Sequence, residues 1–298
     1  MSARSLLDNL RLRSALMRAL REVFYAGDFT EVSTPVKIPA PAPEEYIESI
    51  PCAGGFLRTS PELAMKRMLC AGMERIFQFG PAFRAEEQGS RHREEFTILE
   101  YYAAGMDYRQ LAEFTASMLA SAARAVLGST SLDCLGGTVD MGRHSFITVD
   151  EAFRRYAGVS AFEADSDGSF DELMVLKVEP ALGAACPEFL IDYPAARASL
   201  ARLSPADERV AERWELYIRG MELGNAFGEL TDAGEQRRRF EAALKFRADH
   251  GMLRYPEASD FLEALERGMP RSSGCAVGFD RLCMIFCDAA EIGEVLFE

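Results

Sequence analysis

The sequence is poor in histidine and tryptophan, with three of the first and one of the second. It contains no GxxxxGK[ST], no GxGxxG, no HExxH and no GxSxG. Phosphate-loop kinases, simple dinucleotide enzymes, helical zinc peptidases and nucleophile-elbow hydrolases are therefore poor descriptions of it. An excess of basic charge is also missing: 33 Lys and Arg stand against 47 Asp and Glu, a net charge of −14. A chain that binds by neutralising many phosphates is basic overall or in a patch. The basic clusters here are short, Arg237 to Arg239 for example. A large nucleic-acid surface, and with it tRNA binding, is not expected; a cationic ligand or a basic partner patch suits the charge better. No apolar run is long enough to cross a bilayer, and no basic segment leading into an apolar stretch suggests a signal peptide, so no membrane association is expected. Seven cysteines occur without a CxxC pair, and the odd number argues against a disulfide framework. A cytoplasmic protein with reduced thiols is the simplest expectation. Cys283 and Cys287 are four apart on a predicted helix, but no His or Cys lies close by, so they read as small core residues.

What remains is a chain of 298 residues, 48% hydrophobic and 27% charged, long enough for one large core. Apolar spacing predicts helices over 4–26 and 107–127. Ser60-Pro61-Glu62 opens another, with proline at an early helical position. Thr231 or Asp232 with Glu235 resembles a capping box for a helix ending at Gly251, and 259–268 reads as a short capped helix. Strands are predicted over 76–84 and 95–103, joined by a long polar loop, and in 205–229 with glycine breaks. Gly274 to Phe286 reads as a glycine-rich strand running into a helix. The stretch 129–190 shows no clear pattern and reads as an insertion. With no linker or repeat, a single α+β domain over 1–298 is expected.

Within FRAEEQGSRHREEFTILEYY (Phe83 to Tyr102), period-two parity puts Arg84 and Glu86 on one face. It likewise puts Phe96, Ile98, Glu100 and Tyr102 on one side, with Thr97, Leu99 and Tyr101 on the other. Cation, carboxylates and aromatics thus interleave on one face of a strand whose other face is mainly apolar. Asn225, Phe227 and Glu229 are also spaced by two and can line a common face.

Phe83-Arg84-x-Glu86, Arg91-His92 and Glu95-Phe96-Thr97-x-Leu99-Glu100 together resemble the second motif of class II aminoacyl-tRNA synthetases, the lysyl group in particular. Gly274-x-Ala276-x-Gly278-x-Asp280-Arg281 resembles the third, and Phe29 to Pro35 the first, dimer-forming motif. Met221 to Asp232 (MELGNAFGELTD) resembles the lysine-pocket segment of lysyl-tRNA synthetases. The four follow the family's order over nearly the whole chain.

The resemblance implies a mainly antiparallel sheet flanked by helices, a homodimer, and activation of lysine by ATP with Mg²⁺. It implies Arg84 and Arg281 as phosphate clamps, a use that suits the guanidinium fork. Glu86 would take the adenine amino group and Phe96 would stack on the ring. His92 and Arg93 would hold the triphosphate, with Leu223 and Gly278 beside the nucleotide. Glu215 and Glu222 would hold the metal, which prefers carboxylate and phosphate oxygens. Glu100, Tyr102 and Glu229 would meet the ε-ammonium, since a desolvated cation requires paired carboxylates. Phe227 would pack the methylenes, Glu62 would take the second amino group, and Asn225 with Arg84 the carboxylate.

Class II lysyl-tRNA synthetases carry an N-terminal anticodon-binding domain, which is not expected here because the first catalytic helix begins almost at Met1. The freestanding relatives are the lysine ligases of elongation factor P, which Thr59 to Leu69, Glu208 to Leu223 and Gly268 to Leu282 resemble. Ser60 and Ala276 stand where tRNA-charging relatives usually have Ala and Gly. A methylene-sized change is worth roughly 1–3 kcal/mol of discrimination, which could favour (R)-β-lysine over α-lysine. The chain departs from the pattern at Glu94, where proline is usual, at Ala226, where glycine is usual, and across Lys37 to Glu48. Lysyl transfer to tRNA or another acceptor, and a catalytically silent regulatory paralogue, remain the alternatives.

Overall fold

A computed structural model describes residues 4–297. Eight strands make the main sheet: β1 (Thr30–Glu31), β2 (Arg75–Phe83), β3 (Glu95–Ala104), β4 (Ser145–Thr148), β5 (Glu188–Pro194), β6 (Val210–Ile218), β7 (Met221–Gly228) and β8 (Ser272–Gly278). Their spatial order is β1-β2-β3-β8-β7-β6-β5-β4. From β2 to β5 every pairing is antiparallel; β1 and β4 join the two edges in parallel. The helices are α1 (Leu6–Ala26), α2 (Glu62–Cys70), α3 (Tyr108–Leu127), α4 (Val149–Tyr156), α5 (Ala161–Asp167), α6 (Phe170–Leu173), α7 (Ala233–Asp249), α8 (Ser259–Glu266) and α9 (Phe279–Cys287). This is the α+β architecture expected, a mainly antiparallel sheet flanked by helices.

Local sequence accounts for the helix ends. Asp107 accepts from the N–H groups of Arg109 and Gln110, Gln110 returns the bond, and Gly128 closes α3 at φ 72°. Asp232, rather than Thr231, caps α7 by accepting from Glu235 N at 2.8 Å.

The sheet has two unlike faces. On one, α1, α3 and α9 pack over Phe77, Leu99, Tyr101, Trp214, Leu216 and Val277, all almost fully buried. Phe24 of α1 stacks on Phe77 with ring centroids 4.5 Å apart. This apolar layer is the principal driving force for the fold. On the other face, α2, α7 and α8 close a smaller core around Met65, Phe240 and Phe261, and the rest of the face is left open.

One expectation needs correction. Arg84 and Glu86 do not share a strand face, because β2 ends at Phe83 and Glu86 turns into the left-handed region at φ 66°. Residues 129–190 supply β4 and the first residues of β5. Their helices pack around Phe153 and Phe170 in a cluster that includes Leu190 and Tyr217 of the sheet.

Candidate active site

The open face of the sheet floors a cavity of about 850 Å³. From β3 it takes Phe96, Ile98, Glu100 and Tyr102, the set that parity predicts. From β8 it takes Gly274, Ala276 and Gly278, which pair with Tyr102, Glu100 and Ile98. Small residues are needed there: a Cβ on Gly274 would run into the Tyr102 ring and come within 2.7 Å of Glu229 Oε1. A methyl at Gly278 would meet only Arg281, at 3.8 Å, so the space that glycine leaves is cavity.

Strand β7 contributes Glu222, Asn225 and Phe227, with Glu229 just past its end. Glu222 and Asn225 differ by an odd number of residues, yet both face the cavity. The pairing with β6 slips between Leu216–Gly224 and Tyr217–Glu222, leaving Leu223 as the extra residue. Such a bulge reverses side-chain parity. The Leu223 side chain is thereby sent into the apolar core, 2% exposed, while the residue still borders the cavity.

One end of the cavity is acidic and dry. Glu100 and Glu229 are 1% and 0% exposed. Glu100 accepts from Ser60 Oγ at 2.7 Å and from Tyr102 OH at 2.6 Å. Burial, reinforced by Glu62, pushes the Glu100 carboxyl up to about 8. Lys66, itself buried, lies 2.5 Å from both Glu62 Oε1 and Glu229 Oε2. The sequence reading missed Lys66, although it follows Glu62 by four residues on α2, the spacing of a helical ion pair. Burial and the proximity of Glu62 raise the Glu229 carboxyl to about 7 against the opposing pull of Lys66. Glu229 Oε1 is buried with no hydrogen-bond partner. A buried acceptor left unmade is costly, and a further cation at this end would satisfy it. Ser60 and Ala276 both adjoin Glu100, one through its hydroxyl and the other through strand register.

The other end is cationic and wetter. Arg84 lies 5.1 Å over the Phe96 ring and 3.5 Å from Glu87 Oε1, and its Nε is buried without a partner. Arg281 donates to Glu222 O at 3.1 Å and contacts His92 Nε2. Burial, aided by the Arg281 charge, lowers the His92 pKa, which keeps the ring neutral and able to accept. Arg93 borders the cavity and donates to Gly89 O at 2.8 Å. Glu86, expected at the adenine, faces solvent outside the cavity; Glu87 lines it instead.

Between the ends, Arg213 and Tyr217 donate to Glu215 at 2.6 and 2.7 Å, and Arg213 donates to Asn225 Oδ1 at 3.3 Å. Sequence reading missed both donors, although parity with Glu215 on β6 would have found them. Partial desolvation in the cavity and the Glu215 charge push the Glu222 carboxyl up to about 7, although its side chain is 40% exposed, and a cation between the two would oppose that shift. Among the described residues no cluster of three or more His, Cys, Asp or Glu could hold a metal by itself. Mg²⁺ needs none, since it is commonly held by one or two carboxylates, waters and substrate phosphates. Glu222 fits that use better than Glu215, whose two oxygens are already engaged.

Residues 1–297 match the family described as tRNA synthetases class II (D, K and N). The chain belongs to the class II tRNA synthetases of the D, K and N group. It is 37% identical to the elongation factor P--(R)-beta-lysine ligase of Pectobacterium atrosepticum, over 97% of this chain and 94% of that one. The protein of the same name from Klebsiella pneumoniae subsp. pneumoniae gives the same identity and coverage. A lysine--tRNA ligase of Methylobacillus flagellatus is 36% identical over 95% of this chain, which spans 61% of that relative's length. No described helix is long and apolar enough to cross a membrane.

Proposed function

We propose that this class II enzyme activates lysine or (R)-β-lysine with ATP and transfers it to a lysine side chain of elongation factor P. In the first step a carboxylate oxygen of the amino acid attacks the α-phosphorus of ATP. The bond to the bridging oxygen breaks and pyrophosphate leaves. Both reactants are anionic, so the site must supply positive charge and hold them in line. Arg84, at the cationic end of the cavity, clamps the carboxylate and the α-phosphate. Arg281, with His92 and Arg93, holds the outer phosphates, and Phe96 stacks on the adenine once Arg84 swings off its ring. Mg²⁺, held by Glu222 with Glu215 beside it, would screen the phosphate charge. Asn225 orients the carboxylate and Phe227 packs the methylenes. The ε-ammonium enters between Glu100 and Glu229 beside Tyr102, and Glu62 takes the second amino group. In the second step the acceptor amine attacks the acyl carbonyl, AMP leaves with the electron pair, and loss of a proton gives the amide.

The observation that carries this reading is Glu229 Oε1, a buried and unpartnered carboxylate oxygen beside Glu100, at the far end of a cavity whose mouth is lined with guanidinium groups. The choice of elongation factor P follows the relatives of matching length that carry that name. A single catalytic domain acting as a cytoplasmic homodimer, paired through Phe29 to Pro35, completes the proposal. The test offers labelled lysine or (R)-β-lysine with ATP to elongation factor P and to tRNA. Label entering elongation factor P, seen as a mass increase of one lysyl unit, is expected. Label entering tRNA alone would refute the acceptor and favour the tRNA-charging alternative.

A further inference from the structure

The loop from Lys37 to Glu48 departs from the family pattern, and the reaction above gives it no part. In the structure it roofs the cavity, with Glu44 and Ile47 among the lining residues. Buried Arg247 of α7 holds it there. One guanidinium nitrogen donates to the carbonyls of Glu44 and Ile47 at 2.7 and 3.0 Å, and another to Glu48 Oε2 at 2.7 Å. The same guanidinium lies 4.0 Å over the Tyr255 ring, whose hydroxyl accepts from Ser49 N at 2.7 Å. A desolvated guanidinium is tolerated only when its donors are satisfied, and here loop carbonyls satisfy them. With its carbonyl drawn toward α7, Glu44 faces the cavity, where the charges it feels are Arg84, Glu62, Arg213 and Lys66.

The other carboxylates of the acidic end have partners: Lys66 for Glu62 and Glu229, Ser60 and Tyr102 for Glu100. The Glu44 carboxylate has no hydrogen-bond partner among the described residues. Glu44 is half-buried, and loss of solvent in the cavity wall pushes its carboxyl up to about 7, which an arriving cation would reverse. A diamino acid brings two cations. Its ε-ammonium goes to Glu100 and Glu229, and its carboxylate goes to Arg84. The second ammonium must then lie near Arg84 and Glu62, the side of the cavity that Glu44 faces.

We infer that Glu44 is a substrate-binding residue which, together with Glu62, receives the ammonium group nearest the carboxylate of a diamino acid. Carboxylates on the roof loop and at the start of α2 can follow that ammonium from the α to the β carbon, so Glu44 bears on both isomers. The inference rests on the lysine-activating reading of the site. It is tested by ATP–pyrophosphate exchange with wild type and Glu44→Gln, using lysine and (R)-β-lysine as substrates and 6-aminohexanoate, which lacks the second ammonium, as a competitive inhibitor. Glu44→Gln should lower kcat/KM for the lysines roughly 10- to 100-fold, the range for a hydrogen bond to a charged group. The KM for ATP, the inhibition constant of 6-aminohexanoate and the thermal midpoint should stay unchanged. Activity within twofold of wild type, or an equal loss toward 6-aminohexanoate, would overturn the assignment. Absence of lysine-dependent exchange in folded wild type would instead overturn the lysine reading, and this role with it.

Discussion

At the arginine end of the cavity the charged groups sit on a loop and at the start of a helix, and they stay partly in water: the side chains of Arg84 and Arg281 are 26% and 23% exposed. At the carboxylate end Glu100 projects from a central strand and Lys66 from within α2, and both are 1% exposed. On the proposed reading, the contrast matches what each end would bind. A triphosphate would have to enter and pyrophosphate to leave, and the groups proposed to meet it rest on replaceable partners, Arg84 on Phe96 and Arg281 on His92. An ammonium group has to give up its water, so the groups that meet it are fixed in advance and already paired with one another. Partial exposure at one end and preorganisation at the other are two answers to the cost of burying charge.

Removing the clamp at the exposed end should have the largest effect. Arg84→Ala is expected to lower lysine-dependent ATP–pyrophosphate exchange on the order of 10³-fold, about 4 kcal/mol of transition-state stabilisation, with the thermal midpoint nearly unchanged. Near-normal exchange would remove Arg84 from the phosphate end. The dry end should respond in the opposite way. Lys66→Met leaves Glu62 and Glu229 without their shared cation. It is expected to destabilise the fold by about 3 kcal/mol in denaturant unfolding, and lysine should stabilise the variant more than it stabilises wild type. If both variants changed activity and stability alike, the contrast between the two ends would fail.

The strands and long helices were legible because their periodicities are strict. Phe96 to Tyr102 alternates without interruption, and the structure keeps that alternation over this part of β3. Parity failed where the backbone broke it. Glu86 lies beyond the end of β2 in a left-handed turn, and Glu222 joins Asn225 only through the bulge at Leu223. No local pattern announces either event. Lys66 could have been found from its spacing to Glu62, and Arg213 from its parity with Glu215. Arg247 could not: its partners Glu44 and Glu48 are about two hundred residues away in sequence, 203 and 199 positions. The stretch 129–190 resisted reading because its helices are short, four residues in α6, and its strands brief.

The central claim is that a guanidinium-lined mouth and a carboxylate-lined end together define a lysine-activating site. The most direct measurement is ATP–pyrophosphate exchange by the wild-type protein across a panel of amino acids. Lysine or (R)-β-lysine, or both, should support exchange, whereas leucine, glutamate and norleucine, which lack the distal ammonium, should not. Exchange driven equally well by norleucine would contradict the account, because Glu100 and Glu229 would then have no cation to recognise.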